Sequence, residues 1–393
     1  MKRTKLLTTV FAVVMAVAML ALTACGGGKT GGDEPQPAGS GSSSATPAGG
    51  TIVIGASGPL TGDASSYGIS VQKGAELAVE EINANGGTAF GLQFAFNMKD
   101  DKATAADAST AFGQLMDEGM QVSLGAVTSG SCEAFGAQAA QAQVFFITPS
   151  ASAASVIETS KYAFRVCFGD PDQGILAAEE LTSKYTKIGC IYDTSDTYSS
   201  GIYDAFDAKM KELGKEYTTR TFDADNKKDF SAQVEALKDC EVIFCPFYYT
   251  EASLVARACA AKEFDNIELF GCDGFDGLAP ILEENVKNPI RYITPFDVDS
   301  KDEFTAKFVK NYTAKYGVAP DQFAADGYDA VYILKNALER AGVKDANVKA
   351  SDIADDLVAV LTDKSFGYAG VTGEMTWDET GACTKVPVIV VLN

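Results

Sequence analysis

The chain has 393 residues, 53 of them acidic and 32 basic, and no histidine. The acid excess repels phosphate backbones and no arginine-rich stripe interrupts it, which argues against a nucleic-acid partner. Without an imidazole, Ser-His-Asp and Cys-His nucleophile activation are closed to the chain acting alone, as are most catalytic zinc sites; no enzyme, cofactor or metal centre is expected.

At the start, Lys2, Arg3 and Lys5 precede an uncharged run of 17 residues from Leu6 to Leu22, short for a membrane span and laid out as an export signal. Leu22-Thr23-Ala24-Cys25 follows and resembles the bacterial lipobox, which implies cleavage after residue 24 and lipidation of Cys25. Two acyl chains, at about 0.8 kcal/mol per buried methylene, would hold the domain on a membrane without a span. Removing three basic and no acidic residues takes the net charge from −21 to −24. Residues 25–50 are rich in Gly, Ser, Pro, Ala and Thr, and read as a disordered tether.

Folding is expected from Thr51, where strand and helix patterns begin to alternate. Ile52 to Ala56 predicts a buried strand, and Val71 to Ile82 repeats apolar residues at helical spacing. A strand near Leu92–Met98, a helix near Ala105–Glu118, a strand at Val122–Val127, a helix near Glu133–Ala142 and a strand at Val144–Thr148 follow. A second series opens after Asp170-Pro171 and runs through Lys187–Tyr192, Ile202–Leu213, Tyr217–Phe222, Phe230–Leu237, Glu241–Pro246, Ala252–Glu263 and Glu268–Cys272. Arg291–Thr294, three further helices and a short strand at Pro387–Leu392 close the chain. The fold class is therefore α/β, with two doubly wound parallel-sheet units in tandem.

Eight cysteines follow Cys25, and several lie inside or at the ends of apolar runs where thiols behave as small buried hydrophobes. Mostly free thiols are expected, with pairing left open. Asp223-Ala224-Asp225-Asn226-Lys227 has neither the glycine nor the closing glutamate of a calcium loop and reads as a solvated turn.

In doubly wound sheets the ligand-facing groups lie just beyond the carboxyl ends of the strands. Those positions hold Ser57 to Gly62, Thr128 to Ser131 and Thr148 to Ser152 in the first unit, and Asp193 to Tyr198, Pro246 to Tyr249 and Gly271 to Gly274 in the second. The first unit offers hydroxyls and helix N-termini; the second offers rings and carboxylates.

At these loops the chain resembles the periplasmic leucine/isoleucine/valine-binding proteins of ABC importers. The likeness runs through Ile54-Gly55-Ala56-Ser57-Gly58-Pro59-Leu60-Thr61-Gly62, Tyr67-Gly68, Gly74-Ala75 and Ile82-Asn83-Ala84-Asn85-Gly86-Gly87. It resumes at Ile147-Thr148-Pro149, Asp172-Gln173-Gly174, Lys228-Asp229-Phe230-Ser231 and Gly373-Glu374-Met375-Thr376-Trp377-Asp378. The resemblance implies a type I periplasmic-binding-protein fold, with two lobes joined by a three-crossover hinge near Asp170, Phe296 and Gly381. Residues 51–170 and 297–380 would form the first lobe, and residues 171–296 and 381–393 the second. It further implies a monomeric solute-binding lipoprotein outside the cytoplasm, held to the membrane only by its lipid. Such a protein closes on a small amino acid, branched-chain or otherwise neutral, and delivers it to an ABC permease and ATPase complex.

Residue by residue, the family's carboxylate-binding hydroxyl falls on Ser129 and its partner loop on Ser150 and Ser152. Helix capping by these serines is the competing reading. The family's ammonium-binding glutamate is replaced here by Asp273, one methylene shorter, with an Asp-Gly turn as the alternative. Tyr67, Tyr198 and Tyr248 match the pocket tyrosines, the Tyr198 loop being one residue longer than in the family. Two other functions stay open: a sensor of the same fold feeding a signalling partner, and a hydrolase using carboxylates such as Asp193, Asp196 and Asp273.

Overall fold

The computed structural model describes residues 49–392; Cys25, the leader and nearly all of the expected tether lie outside them. The first lobe is built on a five-stranded parallel sheet of order β2-β1-β3-β4-β5, comprising β1 (Thr51–Gly58), β2 (Gln93–Asp100), β3 (Val122–Ala126), β4 (Phe146–Thr148) and β5 (Ala163–Arg165). Between the strands run α1 (Ser65–Ala84), α2 (Ala105–Asp117), α3 (Ser129–Ala142) and the single turn α4 (Ala154–Glu158). Central strand β3 is buried along its whole length because helices cover both faces, and its one polar side chain, Ser123, is satisfied by donating to the Gly55 carbonyl.

The second lobe repeats the plan. α5 (Asp170–Lys184) leads into β6 (Ile188–Asp193), α6 (Thr197–Glu212), β7 (Thr218–Phe222), α7 (Ser231–Ala236), β8 (Val242–Cys245), α8 (Tyr249–Ala261), β9 (Glu268–Gly271) and β10 (Ile290–Thr294). The chain then returns to the first lobe as α9 (Glu303–Tyr316), α10 (Gln322–Arg340), α11 (Ala350–Leu361) and the hairpin β11 (Tyr368–Gly370) with β12 (Gly373–Met375). A last passage delivers β13 (Val388–Val391), completing a six-stranded sheet of order β13-β10-β9-β8-β6-β7. β13 pairs antiparallel with β10, whereas the other pairings in the two main sheets are parallel. It arrives from the other lobe and not through a βαβ crossover, so nothing constrains it to run parallel.

The third passage lies between Cys383, whose side chain packs in the first lobe's core, and Val388 in the second sheet, a few residues beyond Gly381. Helices start earlier than apolar periodicity alone suggests, because polar residues open them. Asp196, Asp302 and Asp321 cap α6, α9 and α10 by accepting from the amides of Ser199, Thr305 and Ala324. The first lobe's core joins Ile52, Ile54, Val122 and Leu124 of the sheet to Leu334 and Leu338 of α10 and Leu357 of α11, each such side chain contributing about 1.5–3 kcal/mol on burial. α10 lies against α1 at Gly74, where a Cβ would stand 1.9 Å from the Ala324 carbonyl oxygen; only glycine permits that approach. All eight described cysteines are free thiols, seven of them buried. No helix among the described residues is long and apolar enough to cross a membrane.

Candidate functional site

The two sheets share the order in which the first strand of each unit lies between its second and third, so each has a switch point at its carboxyl edge, between β1 and β3 and between β6 and β8. A narrow slot sits where these edges face each other. Six of the seven residues expected to bind ligand line it: Tyr67, Ser129, Ser150, Tyr198, Tyr248 and Asp273.

The first lobe supplies hydroxyls. Ser129 is the first residue of α3 and is 2% exposed, and its Oγ accepts a hydrogen bond from the Ala153 amide at 3.2 Å. That leaves the hydroxyl hydrogen uncommitted. Ser150 differs, since its Oγ donates to the Val127 carbonyl at 2.8 Å and stitches the two loops together. Helix capping by Ser129 is not what the structure shows: Thr128 is the cap residue, and its buried Oγ1 has no hydrogen-bond partner. Thr128 lines the slot as well. The first amides of α3 lack intrahelical acceptors and add donors on the same wall.

Ser152 does not line the slot. The Thr148 hydroxyl accepts from the amides of both Ser150 and Ala151, turning the loop so that Ser152 is carried beneath the surface. There its carbonyl accepts from Arg165 Nη1 at 2.7 Å and from the Asp170 amide. The helix expected after it is only the five-residue α4, too short to offer a useful dipole.

The second lobe supplies the carboxylate and the rings. Asp273 opens a short turn after β9 and is 4% exposed. Tyr198, in the first turn of α6, donates its hydroxyl to Asp273 Oδ1 at 2.6 Å and accepts from the Gly274 amide at 2.9 Å. The Asp273 backbone is fixed from both lobes, its amide donating to Gln173 Oε1 at 3.0 Å and its carbonyl accepting from Gln322 Nε2 at 2.8 Å. Burial pushes the Asp273 carboxyl up to about 6 against the lowering pull of Tyr198. The Tyr198 and Tyr248 rings stack with centroids 5.1 Å apart, and Tyr67 stands edge-on to Tyr248 at 5.5 Å.

Phe323, at the start of α10, completes the slot by stacking on Tyr67 at 4.1 Å. Its sequence position, in a helix far from any strand end, carried no signal of this. Thr128 was legible as part of a hydroxyl loop but not as a slot residue whose hydroxyl is left unpaired. The slot thus opposes hydroxyl and amide donors on one wall to a carboxylate on the other, with rings between them.

The lobes are drawn together around it. Thr250 Oγ1 donates to the Asp63 carbonyl at 2.7 Å, Lys227 lies 3.2 Å from Asp63, and the Gln322 amide donates to Asp276 Oδ2 at 2.8 Å. In this closed arrangement the free space in the slot is about 10 Å3, room for about one water.

A family model described as periplasmic binding protein matches residues 51–389. The Leu/Ile/Val-binding protein homolog 3 of Brucella melitensis is 27% identical over 348 residues, 84% of this chain and 88% of that protein. The crystal structure of the leucine-binding protein LivK from Thermotoga maritima is similar with a TM-score of 0.76 at 27% identity, covering 86% of this chain and 94% of the other. That of the branched-chain amino acid transporter substrate-binding protein LivJ from Streptococcus pneumoniae, in complex with isoleucine, has a TM-score of 0.73 at 28% identity and covers 86% and 100%. Matched over nearly all its described length and built on the same two lobes, the chain belongs to the periplasmic binding protein family of solute-binding proteins.

Proposed function

We propose that this protein captures an α-amino acid between its lobes outside the cytoplasm and delivers it to an ABC importer, anchored meanwhile through a lipid on Cys25. The observation that carries the amino-acid reading is the polarity of the slot. Ser129, Thr128 and the α3 amides face it with donors suited to a carboxylate, and Asp273 faces it with an acceptor suited to an ammonium. Aspartate in place of glutamate brings the ammonium closer to the second lobe. The names of the relatives favour a branched-chain or other neutral side chain, although the head-group chemistry is common to all α-amino acids. An amino-acid head exceeds the slot as it stands, so the lobes part to admit it and close less tightly over it. Affinity for that closed form drives the motion.

Thermal-shift screening of the purified full-length protein against the amino acids tests the reading. A ligand at a hundred times its dissociation constant adds about 2.7 kcal/mol of stability. No rise in melting temperature with any amino acid refutes it. Anchoring is tested separately: Cys25→Ala should release the protein from the membrane fraction or leave it unprocessed, and a membrane-bound variant of mature length would exclude lipidation at this cysteine.

A further inference from the structure

Beside the slot lies a larger chamber of about 450 Å3 that shares Tyr248 with it. Its walls carry apolar and aromatic surface, and set among it stand charges that an aliphatic side chain would leave unmet: four carboxylates, Asp63, Asp193, Asp196 and Glu251, and two ammonium groups, Lys102 and Lys227. Both lysines are already committed. Lys227 Nζ stands 3.2 Å from Asp63 and 3.2 Å from Glu251, and Lys102 Nζ is 3.4 Å from Asp107.

Asp193 and Asp196 are left without a cation among the described residues. Asp193 accepts from the amide and hydroxyl of Ser195, and Asp196 accepts from the Ser199 amide at 2.9 Å as the cap of α6. Enclosure, together with the nearby charges of Asp193 and Glu251, pushes Asp196 up to about 6, as expected of an acid lacking a counter-charge. Asp196 is also close to the head-group site, two residues before Tyr198, whose hydroxyl bonds Asp273. Phe222, Phe247 and Tyr248 add aromatic surface to the same space.

We propose that this chamber receives a long cationic side chain, so that the captured solute is a basic amino acid of the lysine, ornithine or arginine class. Its distal cation meets Asp196 and Asp193, and its methylene stem lies along Phe247 and Tyr248, whose ring faces also attract the charge. This rests on the amino-acid reading of the slot and replaces the neutral side chain suggested by the relatives' names.

Calorimetry on the purified full-length protein separates the two. Arginine is compared with its neutral near-isostere citrulline, lysine with norleucine, and leucine and glutamate complete the set. The cationic member of each pair is expected to bind at least tenfold tighter at neutral pH. Asp196→Asn, which keeps a good helix cap, should collapse the arginine-to-citrulline ratio at least tenfold. Asp193→Asn should reduce it in the same direction. Binding of leucine, norleucine or glutamate with no preference for the cations overturns the proposal while leaving the head-group reading intact. An Asp196→Asn variant that loses arginine and citrulline equally also overturns it, because the residue would then only hold α6. If no amino acid binds, both readings fall.

Discussion

The hydroxyl of Tyr67, on a helix of the first lobe, donates a hydrogen bond to the carbonyl of Gly274 in the second and accepts one from the Tyr249 amide at 3.2 Å. One side chain therefore ties its lobe to two loops of the other, directly over the slot. Tyr67→Phe removes that tie and leaves a buried amide and carbonyl unpaired in the closed form, at a cost of about 1–3 kcal/mol. Calorimetry should show amino-acid affinity reduced about tenfold or more, since about 1.4 kcal/mol is a factor of ten. Small-angle scattering should show a larger radius of gyration at saturation than in the parent. Parent-like values of both would mean that the bond does not contribute to closure.

If Asp273 holds the ligand's ammonium as proposed, binding should depend on pH. Its carboxyl titrates near 6 in the folded protein, above its ordinary range near 3.9 in an unfolded chain. Its contribution to the stability of the free protein is therefore fully present below about pH 4 and is lost as pH rises through 6. Asp101 and Asp329, also pushed up to about 6 by burial, act in the same direction. Ligand affinity should move the opposite way, because the ammonium needs the ionised carboxylate. It should fall by about tenfold per unit as pH drops below 6. Asp273→Asn should weaken binding at neutral pH by about 2–5 kcal/mol and flatten that dependence, while Asn still offers Tyr198 an acceptor. A variant that binds as tightly as the parent, or a pH slope that survives the substitution, would remove Asp273 from the head-group site.

The hinge carries a buried charge pair. Lys385, on the third passage, places Nζ 2.5 Å from Asp326 Oδ1 of α10, and the two side chains are 0% and 2% exposed. Lys385→Met leaves Asp326 buried without a counter-charge and should destabilise the protein by about 3–5 kcal/mol in denaturant titration. Lys385→Met combined with Asp326→Leu should recover much of that loss, since the Asp326 charge goes with its partner and the nearby buried Asp329 keeps its bonds from Val371 and Thr372. A double variant no more stable than the single one would show that the pair contributes packing and backbone order beyond its charge.

The sequence by itself determined the alternation of strands and helices, and with it the two doubly wound sheets and the loops at their carboxyl ends. Apolar periodicity is a local property, and a parallel sheet covered on both faces translates it directly into buried strands. Those loops hold Ser129, Ser150, Tyr198, Tyr248 and Asp273, and the family resemblance added Tyr67; all six line one slot. Tertiary structure alone decided which of the neighbouring hydroxyls face it. The phase of α3 and the turn around the Thr148 hydroxyl expose Ser129 and Thr128 and carry Ser152 away, and neither is visible in a run of serines. It also decided the partners that come from the other lobe. Gln322 on Asp273 and Tyr67 on Gly274 join residues 49 and 207 positions apart, pairings that depend on how the lobes close and leave no trace in local pattern; Phe323 on Tyr67, 256 positions apart, follows from the packing of α10 against α1 within the first lobe. The charge of the larger chamber is of the same kind: Asp196 was legible as a strand-end carboxylate and Lys227 as part of a solvated turn, and only the closed lobes set them with Asp63 and Glu251 around one space.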